Sequence, residues 1–101
     1  MGGDEELLHE VVEIFLEEGP KQMTTLRHAI AEGNAECIEK TAHSLRGELG
    51  YLGISEASLK ARELEEMGRK HDLQHTAEVF AALETGISGV LLSMRGMDAE
   101  V

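Results

Sequence analysis

GNAECIEKTAHSLRGELGYLG, residues 33–53, decides the fold. Gly33 suits the left-handed residue that stops a helix, and Asn34 is a strong N-cap for the next one. At ~100° per residue, Ile38, Ala42, Leu45, Leu49 and Leu52 fall in one stripe about 80° wide. The spacing predicts an amphipathic helix over about 35–52, ended by Gly53.

The same three-and-four spacing continues in both directions, and no alternating strand pattern occurs. Upstream, Asp4 is the expected cap of a stretch reaching about residue 32, with Leu8, Val11, Val12, Phe15, Met23, Leu26 and Ile30 as its apolar positions. Gly19-Pro20 should kink or split it, because an interior proline removes a hydrogen bond and clashes with the preceding turn. Downstream, Ser55 should cap a third helix over about 56–70, with Ala57, Ala61, Leu64 and Met67 or Gly68 facing inward. Asp72 should cap a fourth over about 73–95, with Leu73, Ala77, Phe80, Leu83, Ile87, Val90, Leu91 and Met94 inside. Short connections force neighbouring helices antiparallel. The expectation is an all-α, up-down-up-down antiparallel four-helix bundle. It forms a single domain over 1–101, with a core of about 4–95 and frayed ends.

Composition narrows what such a bundle can do. The chain has 101 residues, enough for one core without staples, and only three aromatic residues, so that core is aliphatic and Met-filled. A net charge of −11 repels phosphate backbones and anionic lipid, which argues against nucleic-acid and membrane partners. The single cysteine, Cys37, cannot form an internal disulfide, and no CxxC pair suggests zinc. With no apolar run of membrane-spanning length and no leader pattern, the expectation is a soluble, cytoplasmic protein. The charge is uneven: residues 40–70 carry six of the nine bases and net +1, while the rest nets −12. That segment is the one suited to an anionic partner.

The candidate chemistry lies on the back of the 35–52 helix. His43, Gly47 and Gly50 fall within about 60° of one another, nearly opposite the core stripe, with Arg46 beside them. Two interior glycines forfeit ~2 kcal/mol relative to alanine. Exposed glycines at that cost, beside a histidine, suggest a clearing kept for function. Imidazole is nucleophilic and substantially neutral near pH 7. A bulky phosphoryl group needs room on one side, and Gly47 and Gly50 leave it. Arg46, at i+3, can reach phosphoryl oxygens. Glu39, at i−4, could take the proton of one ring nitrogen, and Lys40 completes the supporting set.

Ala42-His43-Ser44-Leu45-Arg46-Gly47-Glu48-Leu49-Gly50-Tyr51-Leu52-Gly53 resembles the signature of histidine-containing phosphotransfer (HPt) domains. The tight match covers about a tenth of the chain, and a looser one nearly all of it. The resemblance implies a phosphorelay carrier. His43 would accept a phosphoryl group from a receiver-domain phospho-aspartate and pass it to another receiver, or the reverse. Arg46 would stabilise the phosphoryl group where the family more often has Lys. The implied partners are response-regulator receivers or a hybrid sensor kinase, with the carrier itself a monomer. The implied cofactor set is empty for this chain, the Mg²⁺ belonging to the receiver. No ATP-binding or hydrolytic motif is present, so the expectation is a carrier rather than an enzyme. Glu48 stands where the family usually has a small residue, and is expected to pair with a base on the third helix. Tyr51 is expected at the rim.

Two rivals remain on sequence alone. Glu6-Leu7-Leu8-His9 is half of a di-iron pattern and His71/His75 have zinc-like spacing, but neither finds enough further ligands, so no metal is expected. A silent adaptor bundle is the second, and the retention of His43, Arg46 and both glycines argues against it.

Overall fold

The computed structural model describes the backbone over residues 2–100 and side chains over 9–92. Four helices follow in order: α1 (Gly2–Glu32), α2 (Ala35–Tyr51), α3 (Ser55–Lys70) and α4 (Thr76–Glu100). Each packs on its two ring neighbours, α1 on α2, α2 on α3, α3 on α4 and α4 on α1, with no diagonal contact among the described residues. Short turns make successive helices antiparallel, so the chain is an up-down-up-down four-helix bundle. Phe15, Leu26, Ile38, Leu45, Leu49, Leu64, Leu83 and Ile87 are fully buried and fill its centre.

The α2 boundaries follow the sequence logic. Gly33 is left-handed at φ 68°, and Asn34 Oδ1 accepts from the Cys37 amide at 3.1 Å. Gly53, at φ 78°, turns the chain into α3. All five positions of the α2 stripe point inward, Leu52 only partly.

Four local expectations need correction. α1 begins at Gly2, which puts Asp4 inside the helix rather than at its cap. It is also not split at Gly19-Pro20, since one helix carries Pro20 in its interior. Core contacts on both sides of the proline, Phe15 before it and Met23 and Leu26 after, outweigh one lost hydrogen bond. Gly19 is buried with the Phe15 ring against its Cα, where a Cβ would meet Cε1 at 3.3 Å. α3 starts at Ser55 itself, with Ile54 in the cap position and no side-chain cap.

The fourth correction is the largest. α4 starts at Thr76, not 73, because Asp72 is occupied in closing α3: its amide donates to Met67 O, and that of His71 to Gly68 O. Residues 71–75 therefore form the connection, and Thr76 Oγ1 donates back to Leu73 O at 3.0 Å. The inward stripe becomes Thr76, Phe80, Leu83 and Ile87, leaving Ala77 exposed. Leu8 and Met94 lie outside the described side chains.

Candidate functional site

The α2–α3 hairpin builds the site. Close approach of the two helices is set at Gly68, where an added Cβ would lie 2.7 Å from both Ala35 O and Glu39 N. One turn along, Glu65 of α3 comes level with His43. Its Oε2 lies 2.8 Å from His43 Nδ1, and its Oε1 accepts from Arg46 Nε at 2.6 Å. Two turns further on, Ser58 Oγ donates to Arg46 O at 3.2 Å. The interhelical register thus pairs Gly68 with Glu39, Glu65 with His43, and Ser58 with Arg46 and Gly50.

His43 is 62% exposed at its side chain while Glu65 is only 14% exposed. Burial pushes the Glu65 carboxyl up, but hydrogen bonds from His43 and Arg46 and their charges outweigh it, and the net shift is downward. An ionised Glu65 can only accept, so Nδ1 carries the proton and donates to it. Arg46 Nη2 also lies 3.0 Å from Nδ1, which would suit the opposite tautomer. The charge-assisted bond to a carboxylate is the stronger of the two and decides the tautomer. Nε2 is left with its lone pair, and it has no hydrogen-bond partner among the described residues.

The clearing beside the ring is real. A Cβ on Gly47 would meet nothing within 4 Å, and one on Gly50 only Ser58 Oγ at 3.7 Å. No close packing calls for either glycine.

The expected supporting residues fare differently. His43, Arg46, Gly47 and Gly50 come together on one exposed face. Glu39 does not reach His43; its backbone packs under Gly68, and the carboxylate at the ring is Glu65, 22 residues on. Lys40 is also apart, paired with Glu36 at 3.0 Å, whose hydrogen bond raises the lysine pKa. Sequence reasoning missed Glu65 because it sits on another helix. Folding the hairpin about Gly53 would have found it, since Glu65 follows the core residue Leu64 on the flank facing α2. Glu48 turns to α1 instead of α3: its Oε1 accepts from Gln22 Nε2 at 3.3 Å. Burial raises its pKa; the Gln22 bond opposes the rise and the nearby Glu18 charge adds to it. Tyr51 is exposed at the rim.

Among the described residues there is no group of three or more His, Cys, Asp or Glu able to hold a metal ion, and no helix long and apolar enough to cross a membrane.

Comparison with known proteins agrees with the fold. Over 94 residues, 82% of this chain, the sequence is 30% identical to chemotaxis protein CheA of Halobacterium salinarum, and it spans only 14% of that protein's length. The fold matches the crystal structure of histidine-containing phosphotransfer protein B (HptB) from Pseudomonas aeruginosa PAO1, with a TM-score of 0.85. That match is at 22% identity and covers 90% of this chain and 79% of the other. The family model of the Hpt domain matches residues 10–91. With that match over most of its length, and an exposed histidine on the second helix of a four-helix bundle, the chain belongs to the Hpt domain family, the phosphocarriers of histidine phosphorelays.

Proposed function

We propose that His43 is the phosphorylated residue, taking a phosphoryl group at Nε2 from the phospho-aspartate of a receiver domain and returning it to a receiver. The observation that carries this is the bond from Nδ1–H to Glu65, which leaves Nε2 with its lone pair on an exposed ring, one turn from the bare Gly47. The Nε2 lone pair forms the new N–P bond as the P–O bond of the acyl phosphate breaks, and the aspartate leaves as a carboxylate. Nδ1 keeps its proton throughout. The ring becomes cationic on attack, and the ionised Glu65 beside it stabilises that charge. Reversal needs the same groups, so the site works in both directions.

Arg46 serves twice. Its Nε–H holds Glu65 in line with the ring, and its charge lies close to an arriving phosphoryl dianion. The receiver supplies its own Mg²⁺, and the +1 charge of residues 40–70 suits a partner with an acidic active site. A cytoplasmic, monomeric carrier without ATP chemistry of its own is part of the same reading.

The test is transfer from a receiver charged on its aspartate. The protein should acquire an alkali-stable, acid-labile phosphoryl group that is absent in His43→Gln. Glu65→Gln should slow acceptance on the order of tenfold, the value of one weakened charge-assisted bond of ~1.4 kcal/mol. A folded protein that accepts nothing from a panel of receivers would refute the reading.

A further inference from the structure

Arg46 is committed to the Nδ1 side of the ring. Its Nε is bonded to Glu65 Oε1, and its Nη2 lies 3.0 Å from Nδ1. A phosphoryl group on Nε2 emerges from the other edge of the imidazole, where Arg46 acts through its charge rather than through those hydrogen bonds. Its oxygens need hydrogen-bond donors from elsewhere.

Beside Arg46 and Glu65 lies a polar pocket of about 340 Å³, walled also by Arg62, Glu66 and Arg69 of α3. Its arginines differ in what they already hold. Arg69 Nη2 donates to Glu66 Oε1 at 3.1 Å. Arg62 has no acidic or hydrogen-bonding partner among the described residues, although the protein carries eleven more acids than bases. Position separates the two as well. The α2–α3 register puts Arg69 below His43, level with Glu39. Arg62 stands one turn above Glu65, level with Arg46 and one turn from Ser58, whose Oγ would be 3.7 Å from a Cβ on Gly50. One helical turn is ~5.4 Å, within the span of an extended arginine side chain.

We propose that Arg62 is a second arginine of the phosphoryl site: it reaches across to the Gly47–Gly50 clearing when His43 is loaded and donates to the oxygens of a tetrahedral phosphoryl dianion carried on Nε2. The proposal rests on His43 being the carrier. It divides the labour between helices, with Arg46 orienting the ring through Glu65 and Arg62 gripping the load. It also gives an exposed, unpaired guanidinium its function, planar donors for phosphoryl oxygens.

The experiment loads His43 chemically with phosphoramidate, so that no partner is needed. The donor's N–P bond breaks as Nε2 forms its own, ammonia leaves, and Nδ1 keeps its proton. The second ionisation of the phosphohistidine is then followed by ³¹P NMR in wild type, Arg62→Gln, Arg62→Lys and Arg69→Gln. A guanidinium at about 4 Å, fully solvated, depresses that ionisation by ~0.7 pH unit. Arg62→Gln should raise it by about that amount, Arg62→Lys should recover most of the difference, and Arg69→Gln should leave it at the wild-type value. An Arg62→Gln protein titrating like wild type would overturn the assignment, as would an equal shift in Arg69→Gln. Loaded wild type that shows the Arg62 dependence yet passes nothing to any receiver would sink the relay reading and leave the arginine assignment standing.

Discussion

Replacing Gly47 and Gly50 together by alanine should make the protein more stable and a worse carrier. Both positions are exposed, Gly47 inside α2 and Gly50 in its last turn, with nothing within 4 Å of a Gly47 Cβ and only ordinary contact at Gly50. No steric term opposes the helix preference, so each substitution gains up to the ~1 kcal/mol by which alanine exceeds glycine in a helix interior. The pair should add to at most about 2 kcal/mol, a Tm rise of up to roughly 8–16 °C in a domain of this size. The new methyl groups stand on the bare strip one and two turns from His43, where a receiver must bring its phosphoryl group. Transfer to His43 should fall on the order of tenfold or more, since a misplacement of about an ångström is enough for such a loss. Urea denaturation measures the first quantity, and transfer from an aspartyl-phosphate receiver the second. A less stable double variant would refute the open geometry of this face. A stabler variant that transfers at the wild-type rate would refute the idea that the strip is kept clear for the reaction.

Three further outcomes follow from the packing. Gly68→Ala should destabilise the fold by about 1–3 kcal/mol despite the better helix former, because its Cβ meets backbone atoms of α2 that cannot swing aside; calorimetry against wild type checks it. Glu48→Gln should stabilise the protein at neutral pH. The folded-state pKa of Glu48 lies above its unfolded value, so ionisation disfavours folding at pH above the folded pKa and the penalty fades as pH falls through it; the gain from Gln should fade in the same window, seen as converging denaturation midpoints in acid. His71→Gly should stabilise by ~1 kcal/mol, since His71 is the one described non-glycine residue at positive φ, 57°, and equal or lower stability would mean its side chain compensates.

How much of this was readable beforehand depended on how local each signal was. α2 was legible almost residue by residue, because Gly33, Asn34 and Gly53 each act within one turn of their own position. The α3–α4 connection was misread for a related reason. Asp72 has the chemistry of a cap, but its amide closes α3, and which of two neighbouring helix ends a residue serves depends on where the chain turns. The local cost of Pro20 predicts a break, while Phe15, Met23 and Leu26, buried on either side of it, hold α1 in one piece. In the site, His43, Arg46 and the two glycines share one helix face and so declared themselves through periodicity. Glu65 did not, because its partnership with His43 exists only once two helices lie side by side, and Glu39 was the nearest carboxylate in sequence rather than in space.

Among the described residues, both side chains that meet His43 Nδ1 come from the hairpin of α2 and α3, a continuous run of about a third of the chain. The tether from α1, Gln22 to Glu48, falls on the opposite flank of α2. The reactive unit can therefore be inherited or transplanted as one block, with α1 and α4 acting as its scaffold. Changes on the outer surfaces of those two helices can reshape which partner fits without moving the proton on the imidazole.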